Sequence, residues 1–299
     1  LFTFLKTGDH VVFQKGLYGG TFNWVISELK KFGIEFSIAE GNTAAHFQKV
    51  LKSNTKILYI ETPSNPLLKI TDINAAANWA RDNNLISVID NTFASPVNQN
   101  PADFGIDLIV HSATKYLGGH HDITAGVLCC NDKYFDKLWI YGKIMGGVMD
   151  PMSAFLASRG LKTLELRVQQ QNKSALRIAE FLEGHSRIKT VYYPGLASHP
   201  DHPIAETQLS GYGGMLSFEI DGDFDQTKGF MDRLSRIKLA TSLGGVTSLA
   251  NQPITNTHAA LSAQDRTKAG ISESLVRLSV GIEPVEALIG DLKKALEKI

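Results

Sequence analysis

Val88-Ile89-Asp90-Asn91-Thr92 and, one unit later, Leu108-Ile109-Val110-His111-Ser112-Ala113-Thr114-Lys115-Tyr116 decide the fold. Each is an apolar, β-branched run that stops abruptly at polar residues, as a buried strand of a parallel sheet does. Ligands of open α/β sheets bind just beyond the carboxyl ends of such strands. The pattern therefore predicts Asp90 at the end of one strand, and Ser112, Thr114 and Lys115 following the end of another.

The same rhythm runs outward from these stretches. Strands are predicted at 10–13, 35–39, 56–60, 85–90, 107–110 and 126–130. Between them, Tyr18-Gly19-Gly20-Thr21 is a turn opening a helix whose apolar face is Phe22, Val25, Ile26, Leu29 and Phe32. Further helices are predicted at 44–52 and 73–83, and Thr62-Pro63-Ser64-Asn65-Pro66 is a proline-rich turn. Alternation of this kind predicts a mostly parallel, doubly wound α/β sheet. Near residue 160 the pattern changes. Leu161, Leu164, Val168, Ala175, Ile178, Ala179 and Leu182 share one face of a long helix. Strands at 215–220 and 275–280 then alternate with helices, of which 224–234 is the clearest. The expected division is a large domain over 1–160 and a smaller α+β domain over 161–299.

Composition narrows the function. The 30 basic and 30 acidic residues among 299 cancel, leaving no global field to draw nucleic acid or an anionic membrane. No apolar run approaches the roughly 20 residues that span a bilayer. The opening Leu-Phe-Thr-Phe-Leu-Lys lacks the basic start and cleavage site of a signal peptide. Two cysteines are present, adjacent at Cys129 and Cys130 on a strand expected to be buried, where neighbours point to opposite faces. A disulfide framework is not expected, and a reducing cytoplasm is. The chain starts without methionine in what reads as a helix end, which suggests a fragment or processed product of a longer gene product.

The chemistry centres on Lys115. Small and hydroxylated neighbours, Ser112, Thr114, Gly118 and Gly119, let a backbone approach a ligand closely. A lysine that attacks a carbonyl must be neutral, which a partly desolvated site favours. Asp90 reads either as a helix N-cap or as the partner of a pyridinium nitrogen. Lysine, aspartate and hydroxyls together suit a phosphorylated pyridine aldehyde. Tyr18 is either a packed tyrosine or an aromatic face for that ring. Arg277 interrupts the apolar run Leu275 to Val280, and is either an edge residue facing water or a grip on a substrate carboxylate. His111, His120, His121 and Asp122 match no familiar zinc spacing, so no metal is expected. Gly211-Tyr212-Gly213-Gly214 precedes a strand instead of following one, which is the wrong context for a dinucleotide fingerprint.

Seven segments, in family order and spread over nearly the whole chain, resemble the Cys/Met-metabolism family of pyridoxal-phosphate enzymes. They are Tyr18-Gly19-Gly20-Thr21, Glu61 to Pro66, Asp90 to Pro96, His111 to Tyr116, Arg159 to Leu164, Ser242 to Gly245 and Val276 to Gly281. The family includes cystathionine γ-synthase, cystathionine γ- and β-lyases, methionine γ-lyase and the O-acylhomoserine sulfhydrylases. The resemblance implies an aspartate-aminotransferase-like fold (fold type I) and a homotetramer of dimers that share active sites. It implies pyridoxal 5'-phosphate bound as a Schiff base to Lys115, which also shuttles protons. Asp90 would pair with the ring nitrogen, and Tyr18 would stack on the ring and assist proton transfer, so that Lys115, Tyr18 and Asp90 form the expected catalytic set. Ser112, Thr114 and Thr92 would complete the cofactor contacts, and Asn65, Ser242 and Arg277 would orient the substrate carboxylate.

Two departures qualify the resemblance. Members carry a further N-terminal segment with a Ser-Gly-Met loop and a Tyr-x-Arg pair, so the natural product is expected to be longer. Residues that separate members are mixed: Gly20 and the run 61–70 lean toward the cystathionine enzymes, while Thr241 and Asn23 depart from them. The first expectation is γ-elimination or γ-replacement of the cystathionine γ-synthase or γ-lyase type. Methionine γ-lyase or O-acetylhomoserine sulfhydrylase is the second, and an inert binding subunit is the reading from another class.

Overall fold

A computed structural model describes residues 1–255, Gln264, Arg266 and 269–298. Its strands form two sheets. The first contains β1 (His10–Phe13), β2 (Glu35–Ile38), β3 (Thr55–Glu61), β4 (Ile86–Asp90), β5 (Leu108–Ser112) and β6 (Gly126–Cys130), in the order β2-β1-β3-β4-β5-β6. All neighbours are parallel except β5 and β6, which are antiparallel. The central strands are apolar on both sides because helices cover both sides. One layer is α1 (Gly19–Glu28), whose Val25 packs with Val11, Phe13 and Ile57. On the other, α2 (Ala44–Gln48) and α3 (Ile73–Asp82) set Phe47, Ile73, Ala76 and Ala80 against Val12, Leu58 and Ile60. Asp72 starts α3 by accepting from the Ala75 amide at 2.9 Å.

After β4 come α4 (Ser95–Asn98) and then, beyond β6, α5 (Asp132–Met145), α6 (Pro151–Leu161) and α7 (Leu164–Glu183). The second sheet comprises β7 (Ile188–Tyr192), β8 (Met215–Ile220), β9 (Lys238–Leu239), β10 (Leu249–Asn251) and β11 (Leu275–Ser279), in the order β7-β8-β11-β10-β9. It is antiparallel apart from the β9–β10 pair. α8 (His202–Gln208) lies between β7 and β8. α7, α9 (Phe224–Arg233) and α10 (Val285–Leu296) bury Ile178, Leu182, Phe230, Leu288 and Leu292 against it. Among the described residues no helix is long and apolar enough to cross a membrane.

Four expectations need correction. The face predicted for α1 is wrong at Ile26 and Phe32, which are 44% and 54% exposed. The helix tightens into a 3-10 turn at Leu29–Phe32 and stops at Gly33 in the left-handed region (φ 67), and a tighter turn rotates Phe32 off the buried stripe. α2 is shorter than 44–52 and ends at Gln48.

The long helix is interrupted at Lys162–Thr163, so that Leu161 ends one helix, exposed, and Leu164 begins the next. Gly160 causes the break. Its backbone lies directly on the Leu117–Gly118 backbone, and the buried Arg167 guanidinium donates to the Gly160 and Tyr116 carbonyls at 2.8 Å each. Arg167 thereby ties the end of the first helix to the turn after β5. Finally, β6 is not a buried strand. It pairs with β5 alone among the described residues, and Cys129 is exposed.

Candidate active site

The parallel register brings Glu61 beside Asp90, and Asp90 beside Val110, so the carboxyl ends of β3, β4 and β5 share one rim. Asp90 is not a helix cap. α4 begins after Ala94 without a side-chain cap, and one Asp90 oxygen instead accepts from the Thr92 amide at 2.9 Å. Burial pushes its carboxyl above the ordinary value, opposed by the Thr92 hydroxyl and amide. The Thr92 hydroxyl in turn accepts from the Ser112 amide at 2.8 Å, tying the loop after β4 to the end of β5.

Lys115 sits in the turn after β5. Its Nζ donates to Ser242 Oγ at 3.0 Å. Burial, and then the charge of Arg277, holds the amine below its ordinary value. Ser242 has a left-handed backbone (φ 81), an unusual state for a serine. The turn is pinned there because the Gly244 amide donates to Ser279 Oγ at 2.9 Å, and a Cβ at Gly244 would come within 2.8 Å of the Tyr116 amide.

Arg277 lies on β11, interior to the second sheet, so the edge-strand alternative is discarded. It is 3% exposed. Its guanidinium donates to Asn65 Oδ1 at 3.0 Å and to the Ser242 carbonyl at 3.2 Å. No acid forms an ion pair with it among the described residues. Burial lowers it to about 10. Beside it the buried Asn65 Nδ2 has no hydrogen-bond partner among the described residues.

Tyr18 precedes α1 with its ring 52% exposed, lying across Gly20, where a Cβ would come within 2.6 Å of the ring. Its amide donates to Glu61 Oε2 at 2.7 Å. The Thr114 hydroxyl faces the Ala125 backbone, accepting from its amide at 3.0 Å. Lys115, Ser242, Arg277 and Asn65 thus form one bonded chain. Asp90 and Glu61 form a neighbouring acidic pair beneath the Tyr18 turn, and Thr92 joins that pair's loop to Ser112. Glu61 is the member that sequence reasoning left without a role. Its signal is its place at the end of β3, legible only once β3 is known to pair with β4. His111 is buried, which pushes it down to about 4, and His120 donates to the Gly118 carbonyl at 2.8 Å.

The sequence matches the profile described as Cys/Met metabolism PLP-dependent enzyme over residues 1–297. The chain belongs to the Cys/Met-metabolism family of PLP-dependent enzymes. Among members of this family, cystathionine gamma-lyase from Dictyostelium discoideum is 43% identical over 295 residues, covering 98% of this chain and 76% of that protein. L-methionine gamma-lyase from Fusobacterium nucleatum subsp. polymorphum is also 43% identical, over 302 residues covering 100% of this chain and 76% of that protein. A crystal structure of cystathionine gamma-lyase from Lactobacillus plantarum, complexed with L-serine, superimposes with a TM-score of 0.94 at 38% identity. It covers 99% of this chain and 77% of that one. The architecture is therefore that of the PLP-dependent transferases of fold type I. The residues present also fit the family's cofactor: a half-buried amine whose ionisation is held down by its surroundings, a partly buried carboxylate on the same rim, and hydroxyls at the strand ends.

Proposed function

We propose that the chain catalyses γ-elimination or γ-replacement on a sulfur amino acid or an O-acylhomoserine. One observation carries the reading. Among the described residues the buried Arg277 guanidinium has no acid paired with it, and the Asn65 amide beside it has no acceptor. A buried cation is stable only when paired, and a carboxylate meets a guanidinium through two parallel bonds. An α-amino acid supplies that carboxylate. Arg277 and Lys115 both bond to Ser242, so one small amino acid can engage the clamp and the amine together.

Pyridoxal phosphate, when bound, supplies an electron sink for carbanions. Lys115 would carry it, Asp90 would hold the proton on its ring nitrogen, and Tyr18 would cover its face. Ser112 and Thr114 would hold the phosphate, and Thr92, bonded to both Asp90 and Ser112, would complete the cofactor contacts. Lys115, its ionisation disfavoured by burial and by the charge of Arg277, would take the proton from Cα and then act at Cβ. It would return a proton to the group leaving Cγ. A thiol then adds at Cγ in replacement, or water yields a 2-oxo acid and ammonia in elimination.

Cystathionine γ-synthase or γ-lyase type activity is the first reading, supported by the cystathionine gamma-lyases among the relatives. Equal identity to an L-methionine gamma-lyase supports methionine γ-lyase as the second. Product analysis on cystathionine, on O-acylhomoserine plus thiol, and on methionine separates the two. Methanethiol from methionine, with no turnover of the other substrates, would overturn the first. The two separate sheets support a large domain over 1–160 and a smaller one over 161–299. Exposed apolar side chains on α5 and α6, including Phe135, Trp139, Ile144 and Phe155, support a homotetramer. The free Cys129 and Cys130 support a cytoplasmic location.

A further inference from the structure

Glu61 and Asp90 end neighbouring parallel strands in direct register, Glu61 buried and Asp90 partly so. Two carboxylates so placed do not both ionise readily, because each loses hydration and repels the other. Depth decides which one keeps a proton, since Glu61 is 5% exposed whereas Asp90 is only partly buried. Asp90 accepts from the Thr92 amide two residues on, a bond that stabilises its charged form. Glu61 accepts from the Tyr18 amide at 2.7 Å through Oε2, which likewise favours its charged form, but among the described residues its Oε1 is buried without a hydrogen-bond partner. A lone buried oxygen costs far less on a neutral acid than on a carboxylate.

We infer that Glu61 is a positioning residue that keeps a proton at the floor of the site, leaving Asp90 as the sole anion there, while its other oxygen anchors the Tyr18 turn. The inference rests on the proposed placement of a pyridine ring between Asp90 and Tyr18. The groups facing Glu61 are Asp90 from β4, Tyr59 from its own strand, the Thr21 side chain from α1 and the Tyr18 amide just before that helix; none of these four is a cation, and Tyr18, Thr21 and Tyr59 favour the charged form only enough to oppose burial and Asp90 in part. Burial and the Asp90 charge push Glu61 up to about 8, in accord with this geometry. The device gives two neighbouring carboxyl groups different tasks. One binds a cationic ring nitrogen, and the other fixes the segment that covers the ring without adding a competing charge.

The test uses the whole chain and pyridoxal phosphate itself. In the unloaded protein near pH 7, infrared difference spectra between wild type and Glu61→Gln should contain the carbonyl stretch of a protonated carboxylic acid that the variant lacks. No such band would overturn the inference. Pyridoxal phosphate affinity and visible spectrum, measured from pH 6 to 7.5, should be kept by Glu61→Gln, whose amide oxygen still accepts from Tyr18. Glu61→Ala should bind about ten-fold more weakly, the loss expected for one buried hydrogen bond. Gln as damaging as Ala would mean that the charge is needed, and Ala equal to wild type would mean that the anchor is idle. Either result overturns the inference. A wild-type chain that forms no chromophore at all would instead overturn the cofactor reading on which it rests, while the infrared result still decides the protonation of Glu61.

Discussion

At the residue scale the site is a chain of bonds through Ser242, whose hydroxyl meets Lys115 and whose carbonyl meets Arg277. Lys115→Ala should abolish the visible absorbance of bound cofactor and lower turnover by about 10²–10⁴-fold, the span usual for a lost proton-transfer group. Absorbance and steady-state kinetics on the same preparation check it. Arg277→Lys keeps the charge but loses the planar fork, so KM should rise about ten-fold or more with a smaller change in kcat. Loss confined to kcat would remove Arg277 from the clamp. The acidic pair predicts a pH effect on stability. Glu61 holds its proton up to about 8 when folded, against an ordinary value of 4.5. Between those values the folded state binds more protons than the unfolded one, so stability falls as pH rises, by at most about 1.4 kcal/mol per unit, and levels off above pH 8. Glu61→Gln should flatten that slope in urea melts.

At the element scale, the parallel strands were legible because burial on both faces leaves a continuous apolar run, as in Val88-Ile89 and Leu108-Ile109-Val110. Their carboxyl ends located Asp90, Ser112 and Lys115 correctly. What stayed hidden is set by contacts between distant segments. The break between α6 and α7 depends on Gly160 meeting Gly118 and on Arg167 reaching two carbonyls, which no helical periodicity records. Glu61 was hidden similarly, because its partner is fixed by strand register. The exposure of β6 reflects its position at an edge, whereas its composition is that of an interior strand. Gly160→Ala would drive a methyl group into the Gly118 carbonyl oxygen and should destabilise the chain by about 1–3 kcal/mol. A melting temperature unchanged from wild type would contradict this account of the break.

At the scale of the whole molecule, α5 and α6 carry a run of apolar side chains that the monomer leaves in water. Ile144, 75% exposed, gains nothing from that position in a single chain. Ile144→Glu should shift the light-scattering mass toward smaller species while leaving the far-ultraviolet circular dichroism unchanged. An unchanged mass would argue against assembly through this face. Ser242 has a further consequence at this scale. It follows the short strand β9 of the second sheet, whereas the amine it touches hangs from the first. The reactive nitrogen therefore hangs from one half of the molecule and the Arg277 guanidinium from the other, and the Lys115–Ser242 and Arg277–Asn65 bonds both cross the seam. Slippage along that seam would uncouple recognition from reaction while both halves stayed fully folded, so the catalyst would be lost to misalignment before it was lost to melting.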